Sequence, residues 1–237
     1  MKISLVSYLN SYPFHYGLIQ APRGLYSRLE IVNPAQCAKN FAEEISDVAL
    51  VPVGALASLK NYKIIEPFCI AANGPVRSVL LLSHKSVDKI KTIAPDTDSR
   101  SSNQLVKVLC RNHWKIEPEF VPQELPSDAI IAIGDKAFSM AANFEFKYDL
   151  SDEWKNMTGL PFVFAVWISR IGMDESRLPN LNRALEFGVN FASEAISHFG
   201  SAGLPMSDAI SYVKRNIRYR MDEDSKRGME YFMNFSL

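Results

Sequence analysis

Small polar side chains stand at positions of this sequence where predicted strands end and helices begin. Asn10 and Ser11 follow a short apolar segment, and Ser101 and Ser102 close a second polar run that begins at Pro95. Hydroxyl and amide groups at the start of a helix, together with its unpaired N–H groups, suit anions. Two such helix starts facing each other across a cleft would bind a small dicarboxylate. The alternative is that both are ordinary N-caps with a structural role alone.

Two further pairs of residues accompany apolar strand candidates. Arg77 and Ser78 interrupt an apolar run, residues 76–82, in which Ala or Val would pack without needing a hydrogen bond. We expect Arg77 to have a partner in this strand, either a carboxylate in a structural ion pair or a substrate. Gly134 and Asp135 end a strand in the second half of the chain, where they contact substrate or cap the following helix.

Several reaction chemistries lack the residues that they require. The histidines are scattered without HExxH spacing, and the sequence has no GxGxxG, GxxxxGK[ST] or GxSxG motif. We therefore predict neither a metal nor a cofactor. The cysteines are odd in number and lack CxxC spacing, which argues against a disulfide framework and favours buried, reduced thiols at Cys37, Cys69 and Cys110.

The charge balance and the amino terminus bear on partners and location. The chain of 237 residues carries 26 basic and 26 acidic side chains, whereas nucleic acid binding needs a surplus of Lys and Arg. We expect no nucleic acid partner. The first residues are typical of a strand rather than a signal peptide, and no apolar run approaches the ~20 residues of a membrane span. These features predict a cytoplasmic protein without membrane insertion; the oligomeric state stays open, with a homodimer among the alternatives.

Strand and helix signals alternate along the chain in two rounds, as in α/β proteins. Strand candidates lie at residues 3–6, 29–32, 48–51, 92–94, 117–121 and 129–133. Two long apolar segments, 76–82 and 161–167, connect the rounds and are typical of buried strands. We predict an α/β fold with two lobes, in which residues 1–77 and 165–237 form lobe one and residues 78–164 form lobe two. Small ligands bind in the cleft between such lobes.

The tail of the chain is predicted to be helical. Apolar residues share one helix face over residues 181–199, and Gly200 ends this helix. Pro205 begins another helix, which carries Ile210, Val213 and Ile217. We expect both helices to cover lobe one.

Ordered motifs extend along nearly the whole chain. They are Tyr8-Leu9-Asn10-Ser11, Gly74-Pro75-Val76-Arg77-Ser78-Val79-Leu80-Leu81, Ser99-Arg100-Ser101-Ser102, Ile133-Gly134-Asp135-Lys136-Ala137, the stretch from Trp154 to Trp167, and Asn216-Ile217-Arg218-Tyr219-Arg220. Together they resemble the chorismate dehydratase family, which opens the futalosine route to menaquinone. Ser101 stands where the family is expected to have Thr, which keeps the hydroxyl, and Ser151 replaces a usual Gly.

The resemblance implies a two-lobed, periplasmic-binding-protein type II fold. It also implies a lyase that removes water from chorismate and gives 3-[(1-carboxyvinyl)oxy]benzoate. Asn10 and Ser78 are the implied catalytic residues, which position the substrate while its own side-chain carboxylate takes the proton. The expected substrate-binding residues are Ser11, Arg77, Ser101, Ser102, Gly134 and Asp135.

Two alternatives to this activity stay open. One is a non-catalytic protein that binds small carboxylates, because the same fold serves solute receptors. The other is the sister enzyme of the same pathway, 1,4-dihydroxy-6-naphthoate synthase. Its opening motif has Ser-Pro-Cys-Pro-Asn-Asp where this chain has Ser7-Tyr8-Leu9-Asn10-Ser11.

Overall fold

Residues 1–235, the part of the chain described by this computed structural model, form two β-sheets. The strands are β1 (Lys2–Val6), β2 (Arg28–Val32), β3 (Val48–Pro52), β4 (Tyr62–Ala72), β5 (Val79–Ser83), β6 (Thr92–Ala94), β7 (Glu119–Phe120), β8 (Ala129–Ile133), β9 (Phe146–Asp149), β10 (Phe162–Arg170) and β11 (Arg218–Arg220). The first sheet has the order β11-β4-β10-β3-β1-β2, and the second has the order β7-β6-β8-β5-β9.

Helices connect the strands and pack on the sheets. They are α1 (Tyr12–Ile19), α2 (Pro34–Ala42), α3 (Arg100–Leu109), α4 (Asp135–Ala141), α5 (Leu150–Thr158), α6 (Leu178–Asn190), α7 (Ala192–Phe199), α8 (Met206–Ser211) and α9 (Glu223–Asn234). Two π-helical turns, Cys110–Trp114 and Tyr212–Asn216, extend α3 and α8. Within residues 1–235, none of the helices has the length and apolar character needed to cross a membrane.

The chain passes from one sheet to the other twice. The first sheet takes its strands from residues 2–72 and 162–220, and the second from residues 79–149. In the first sheet β1 runs parallel to β2 and β3, while β10 runs antiparallel to β3 and β4. The predicted two-lobed α/β plan is confirmed. The predicted return to lobe one at residue 165 falls inside β10, where Phe162 already pairs with Ala72.

The first crossing differs from its prediction. The sequence predicts a strand over residues 76–82, but β5 begins only at Val79. The carboxylate of Asp149 accepts hydrogen bonds from the N–H groups of Val76 (3.1 Å) and Arg77 (2.6 Å), which holds the chain in a turn there. Arg77 has a left-handed φ of 66° and an exposed side chain. The expectation of a buried charge within a strand is therefore wrong.

The helices of the tail pack closely against α1. The single helix predicted over residues 181–199 divides at Phe191 into α6 and α7, so that both pack against α1. Glycines permit a short distance between α1 and α6, because a Cβ on Gly17 would lie 1.9 Å from the carbonyl oxygen of Ala184 and one on Gly188 would lie 1.8 Å from that of Pro13. This packing holds α1 in place, and with it the polar residues that lie between β1 and α1.

Aromatic side chains fill the core under α1. Phe14 is fully buried and meets Phe68, Trp167 and Tyr219 edge to face, with ring centroids 6.0, 5.7 and 5.2 Å away. Each contact of this kind stabilises the fold by ~0.5–1.5 kcal/mol beyond the burial of its area. The amino-terminal end of α1 is therefore held rigidly against the first sheet.

The cysteines are buried and unpaired, as predicted. Burial raises the pKa of the thiols of Cys69 and Cys110 to about 12. Both therefore stay protonated at neutral pH and pack as small apolar side chains.

Candidate active site

A narrow cavity lies between the two sheets, with about 520 Å³ of empty space when its mouth is counted. Apolar side chains such as Leu50, Ile70 and Phe164 form much of its wall. Five of the predicted site residues also line it, from both lobes: Asn10, Ser11, Ser101, Ser102 and Gly134. The other three, Arg77, Ser78 and Asp135, are not among the described residues that line it.

Asn10 lies in a 3₁₀ turn, Leu9–Ser11, between β1 and α1. Its side-chain oxygen accepts a hydrogen bond from the Ser11 hydroxyl at 3.1 Å, and its main-chain oxygen accepts one from Tyr219 at 2.9 Å. Ser11 occupies the N-cap position of α1, but its side chain makes no capping hydrogen bond there. The alternative of an ordinary serine N-cap is therefore wrong for α1, and Ser11 instead orients the amide of Asn10.

The serines at the start of α3 have different partners from one another. Ser99 is the N-cap, since its hydroxyl accepts a hydrogen bond from the N–H of Ser102 at 3.2 Å. The hydroxyl of Ser101 instead accepts from the N–H of Gly54 at 2.9 Å and donates to the carbonyl of Phe164 at 3.3 Å. Ser101 thus joins the two lobes at the cavity wall.

Ser78 lies immediately before β5 and is 1% exposed. Its hydroxyl is 2.7 Å from the hydroxyl of Tyr212, and the Asn10 side chain lies near enough to the same phenol to lower its pKa. The carbonyl of Ser78 accepts a hydrogen bond from the N–H of Gly134 at 2.8 Å. Ser78 and Asn10 therefore both lie beside one phenol hydroxyl.

Position 134 requires a glycine because of both its backbone conformation and its surroundings. It has φ 59° and ψ −142°, a conformation that residues with a Cβ adopt only under strain. A Cβ on Gly134 would lie 2.8 Å from the ring of Tyr8, which packs directly on this glycine. The glycine therefore lets Tyr8 lie flat against the end of β8.

The hydroxyl of Tyr8 is buried and has no hydrogen-bond partner among residues 1–235. Tyr8 lines the cavity, so a bound ligand or water is the available partner for this group. Burial raises the pKa of Tyr8 above its usual value, and the carboxylates of Asp98, Asp96 and Asp135 raise it further. Tyr8 therefore keeps its proton and is a neutral hydrogen-bond donor near neutral pH.

Asp135 and Arg77 lie beside the cavity wall rather than in it. The carboxylate of Asp135 accepts a hydrogen bond from the N–H of Leu9 at 3.1 Å, which ties α4 to the turn that carries Asn10. Burial raises the pKa of Asp135, although the hydrogen bond from Leu9 opposes this. The side chain of Arg77 is exposed at the first crossing.

The described lining of the cavity contains no Lys, Arg or His, and the phenol of Tyr8 is its only ionisable side chain. Negative charge on a ligand would therefore meet hydroxyl, amide and N–H donors, together with the positive end of the α3 dipole. Donors held in a preorganised, partly dehydrated site stabilise developing negative charge strongly. This arrangement suits a reaction in which charge builds up on the substrate itself.

Residues 1–236 match the sequence profile of the VitK2_biosynth family, which is described as menaquinone biosynthesis. The chain belongs to this family. It is 32% identical over 170 residues to a protein named chorismate dehydratase from Campylobacter jejuni, an alignment that covers 70% of this chain and 66% of the relative, slightly under two thirds. A protein of the same name from Thermus thermophilus is 25% identical over an alignment that covers 97% of this chain and 93% of the relative.

Solved structures similar to this member of the family define its fold. Protein AF1704 from Archaeoglobus fulgidus superposes with a TM-score of 0.79 at 16% identity, covering 99% of this chain and 96% of that one. The Candida albicans CA3427 gene product, described as having the generic periplasmic binding protein fold, superposes with a TM-score of 0.70 at 12% identity, covering 100% and 89%. The chain therefore has the periplasmic-binding-protein-like fold that the sequence predicts.

Two tyrosines of the site escaped the sequence analysis. Tyr8 belongs to the motif Tyr8-Leu9-Asn10-Ser11, which carries part of the family resemblance. Its position two residues before Asn10 could have identified it as a site residue. Tyr212 gave no such signal, because it stands in a segment with an ordinary apolar helical pattern, far along the chain from Ser78. Only the fold brings its hydroxyl to the site.

Proposed function

We propose that this protein is a chorismate dehydratase, a hydro-lyase that converts chorismate into 3-[(1-carboxyvinyl)oxy]benzoate and water in menaquinone biosynthesis. The observation that carries the proposal is the cavity, where neutral donors such as Tyr8, Asn10 and Ser102 converge from both lobes. The names of the relatives from Campylobacter jejuni and Thermus thermophilus support the same activity.

The proposed reaction needs little from ionisable side chains. The hydrogen that leaves chorismate lies one vinylogous step from the ring carboxylate, so negative charge spreads into that group as the C–H bond breaks. The neighbouring hydroxyl then departs, and the ring becomes aromatic, which drives the reaction forward. The protein has to orient a dianion and stabilise its developing charge, which hydroxyl, amide and N–H donors do.

Asn10 and Ser78 are the proposed catalytic residues. Asn10 lines the cavity, and the hydrogen bond from Ser11 determines which way its amide faces. Ser78 lies just behind the described lining, and its hydroxyl, 2.7 Å from that of Tyr212, reaches the substrate as the lobes close. We assign the proton that leaves the ring to the side-chain carboxylate of chorismate, because the only ionisable group in the described lining is a phenol that keeps its own proton.

The proposed substrate-binding residues act in three ways. The polar part of the cavity is formed by the hydroxyls of Ser11, Ser101 and Ser102 and by the backbone of Gly134. Asp135 acts through its hydrogen bond to Leu9, which holds the turn beside the cavity. Arg77, exposed at the first crossing, attracts the dianion as it approaches.

We further propose that the two lobes close on the substrate as two bodies. Relative to the expected bounds, 1–77 with 165–237 and 78–164, the second crossing then moves from residue 165 to just before Phe162, where β10 begins. The proposed location is the cytoplasm, where chorismate is made and used.

Incubation of the purified protein with chorismate, followed by chromatography and NMR of the mixture, tests the proposed activity. We expect one 3-[(1-carboxyvinyl)oxy]benzoate for each chorismate consumed. Chorismate that raises the melting temperature without being consumed would instead identify a carboxylate-binding protein. Chorismate that is neither bound nor consumed by folded protein would favour the sister enzyme of the pathway.

A further inference from the structure

The hydroxyl of Tyr212 lies beside both proposed catalytic residues, although Tyr212 is 134 positions from Ser78 in the sequence. Its side chain is 1% exposed, and its ring meets Phe138 edge to face with the centroids 5.1 Å apart. It begins the π-helical turn Tyr212–Asn216, and turns of this type are frequent at functional sites. Packing therefore fixes the ring, and hydrogen bonds fix the hydroxyl.

Polar side chains of both lobes lie around the hydroxyl of Tyr212. Ser11 donates to the side-chain oxygen of Asn10, so the NH₂ group of the amide is left to donate. Burial raises the pKa of Tyr212, so the phenol keeps its proton, while the neighbouring side chains of Ser78 and Asn10 act in the opposite direction.

The hydroxyls of Tyr212 and Ser78 share a hydrogen bond in which either group can be the donor. The two oxygens are 2.7 Å apart, and Tyr212 is the one hydrogen-bond partner of the Ser78 hydroxyl within residues 1–235. When Tyr212 donates, the proton of Ser78 is left for the substrate. A hydroxyl that already accepts a hydrogen bond is also a stronger donor.

We propose that Tyr212 is a positioning residue, which fixes the hydroxyl of Ser78 and the amide of Asn10 in the orientation in which they meet the substrate. This inference rests on the proposed function and deepens it. Without the phenol hydroxyl, the Ser78 hydroxyl can rotate about its Cβ–Oγ bond, and the amide of Asn10 loses a polar neighbour. The phenol itself does not touch the reacting atoms.

A double-mutant cycle tests this role, with kcat and KM for chorismate measured below the lowest melting temperature in the set. We expect Tyr212→Phe to lower kcat about 10-fold with little change in KM, since it disturbs the orientation of donors without removing them. In a Ser78→Ala background the same substitution should change kcat by less than about 2-fold, because the group through which it acts is gone.

Tyr148→Phe is the matched control. It also removes a phenol hydroxyl that makes a hydrogen bond, here one accepted from the N–H of Val87 at 2.8 Å, but at the edge of the second sheet. We expect this variant to keep the kcat of the wild-type protein.

Three outcomes would overturn the positioning role. A loss in Tyr212→Phe that is equally large in both backgrounds, or equally large in Tyr148→Phe, would mean a general loss of packing. An unchanged kcat in Tyr212→Phe beside an impaired Ser78→Ala would remove the role of Tyr212 and leave the proposed function intact. A wild-type protein that does not consume chorismate would remove both.

Discussion

The two walls of the cavity carry similar polar side chains but use them differently. On the wall of lobe two, the hydroxyl of Ser101 both accepts and donates a hydrogen bond to groups of lobe one, so both of its functions are occupied. On the wall of lobe one, Ser11 occupies only the oxygen of the Asn10 amide, so its NH₂ group is left for a ligand. Ser78 of lobe two lies behind the lining and bonds the hydroxyl of Tyr212 from lobe one. We therefore assign closure to the Ser101 wall and chemistry to the Asn10 wall. Substitutions on the two walls should change different measured quantities.

The largest effect is expected at Asn10. Asn10→Ala should lower kcat for chorismate by ~10²-fold or more, the scale on which one charge-stabilising donor acts. The free energy of unfolding should fall by only ~1 kcal/mol, because the side chain faces the cavity. Steady-state kinetics and urea denaturation measure the two quantities.

Ser78→Ala should lower kcat on the same scale of ~10²-fold, but with a larger stability cost. It leaves the buried hydroxyl of Tyr212 without its partner at 2.7 Å, which costs ~1–3 kcal/mol. Near-wild-type turnover in both variants, in folded protein, would return Asn10 and Ser78 to a purely structural role.

The next effect concerns the glycine on which Tyr8 packs. Gly134→Ala should destabilise the protein by roughly 2–3 kcal/mol, because a Cβ is disfavoured at φ 59° and would also lie 2.8 Å from the Tyr8 ring. Gly159→Ala is the matched control, since Gly159 has φ 75° and nothing within 4 Å of its added Cβ. Equal losses in urea denaturation would show that contact with Tyr8 costs nothing.

Ser101→Ala should act on stability and binding more than on turnover. It leaves the N–H of Gly54 without its acceptor and removes a bond between the lobes, for a loss of ~1–2 kcal/mol. We expect KM to rise while kcat stays within about 3-fold of wild type. A fall in kcat as large as that of Asn10→Ala would contradict the division between the two walls.

The smallest effect on stability is expected at Tyr8. Tyr8→Phe removes a buried hydroxyl that has no partner in the described chain, so the free protein should change by less than ~1 kcal/mol. KM for chorismate should rise by up to about 10-fold, because the lost hydroxyl is the one left for a ligand. A variant with lower stability and unchanged KM would mean that the hydroxyl serves the fold.

The two-lobed plan could be predicted because strand patterning is local. Residues 129–133 were predicted as a strand from an apolar run and form β8. The prediction failed at residues 76–82 because the turn there depends on the carboxylate of Asp149, 72 positions away from Arg77. The break at Phe191 likewise has no helix-ending residue in the sequence, and the two helices that it separates both pack on α1.

The same limit applies to the site. Asn10, Ser101 and Gly134 could be proposed because each follows a predicted strand, where parallel α/β sheets bind ligands. The hydrogen bonds of the Ser101 hydroxyl to the other lobe could not be predicted, since Gly54 and Phe164 approach it only in the folded chain. Tyr212 depends in the same way on a long-range contact.

The pH dependence of kcat for chorismate tests most directly whether a cavity of neutral donors performs this reaction. The account assigns the base to a substrate carboxylate, and the Tyr8 phenol, whose pKa burial raises, does not lose its proton near neutrality. We therefore predict a kcat that is flat from about pH 6 to 9 and falls only as the carboxylate is protonated, below about pH 5. A kcat that rises or falls with an apparent pKa between these limits would contradict the account, because it would require a base or acid of the protein.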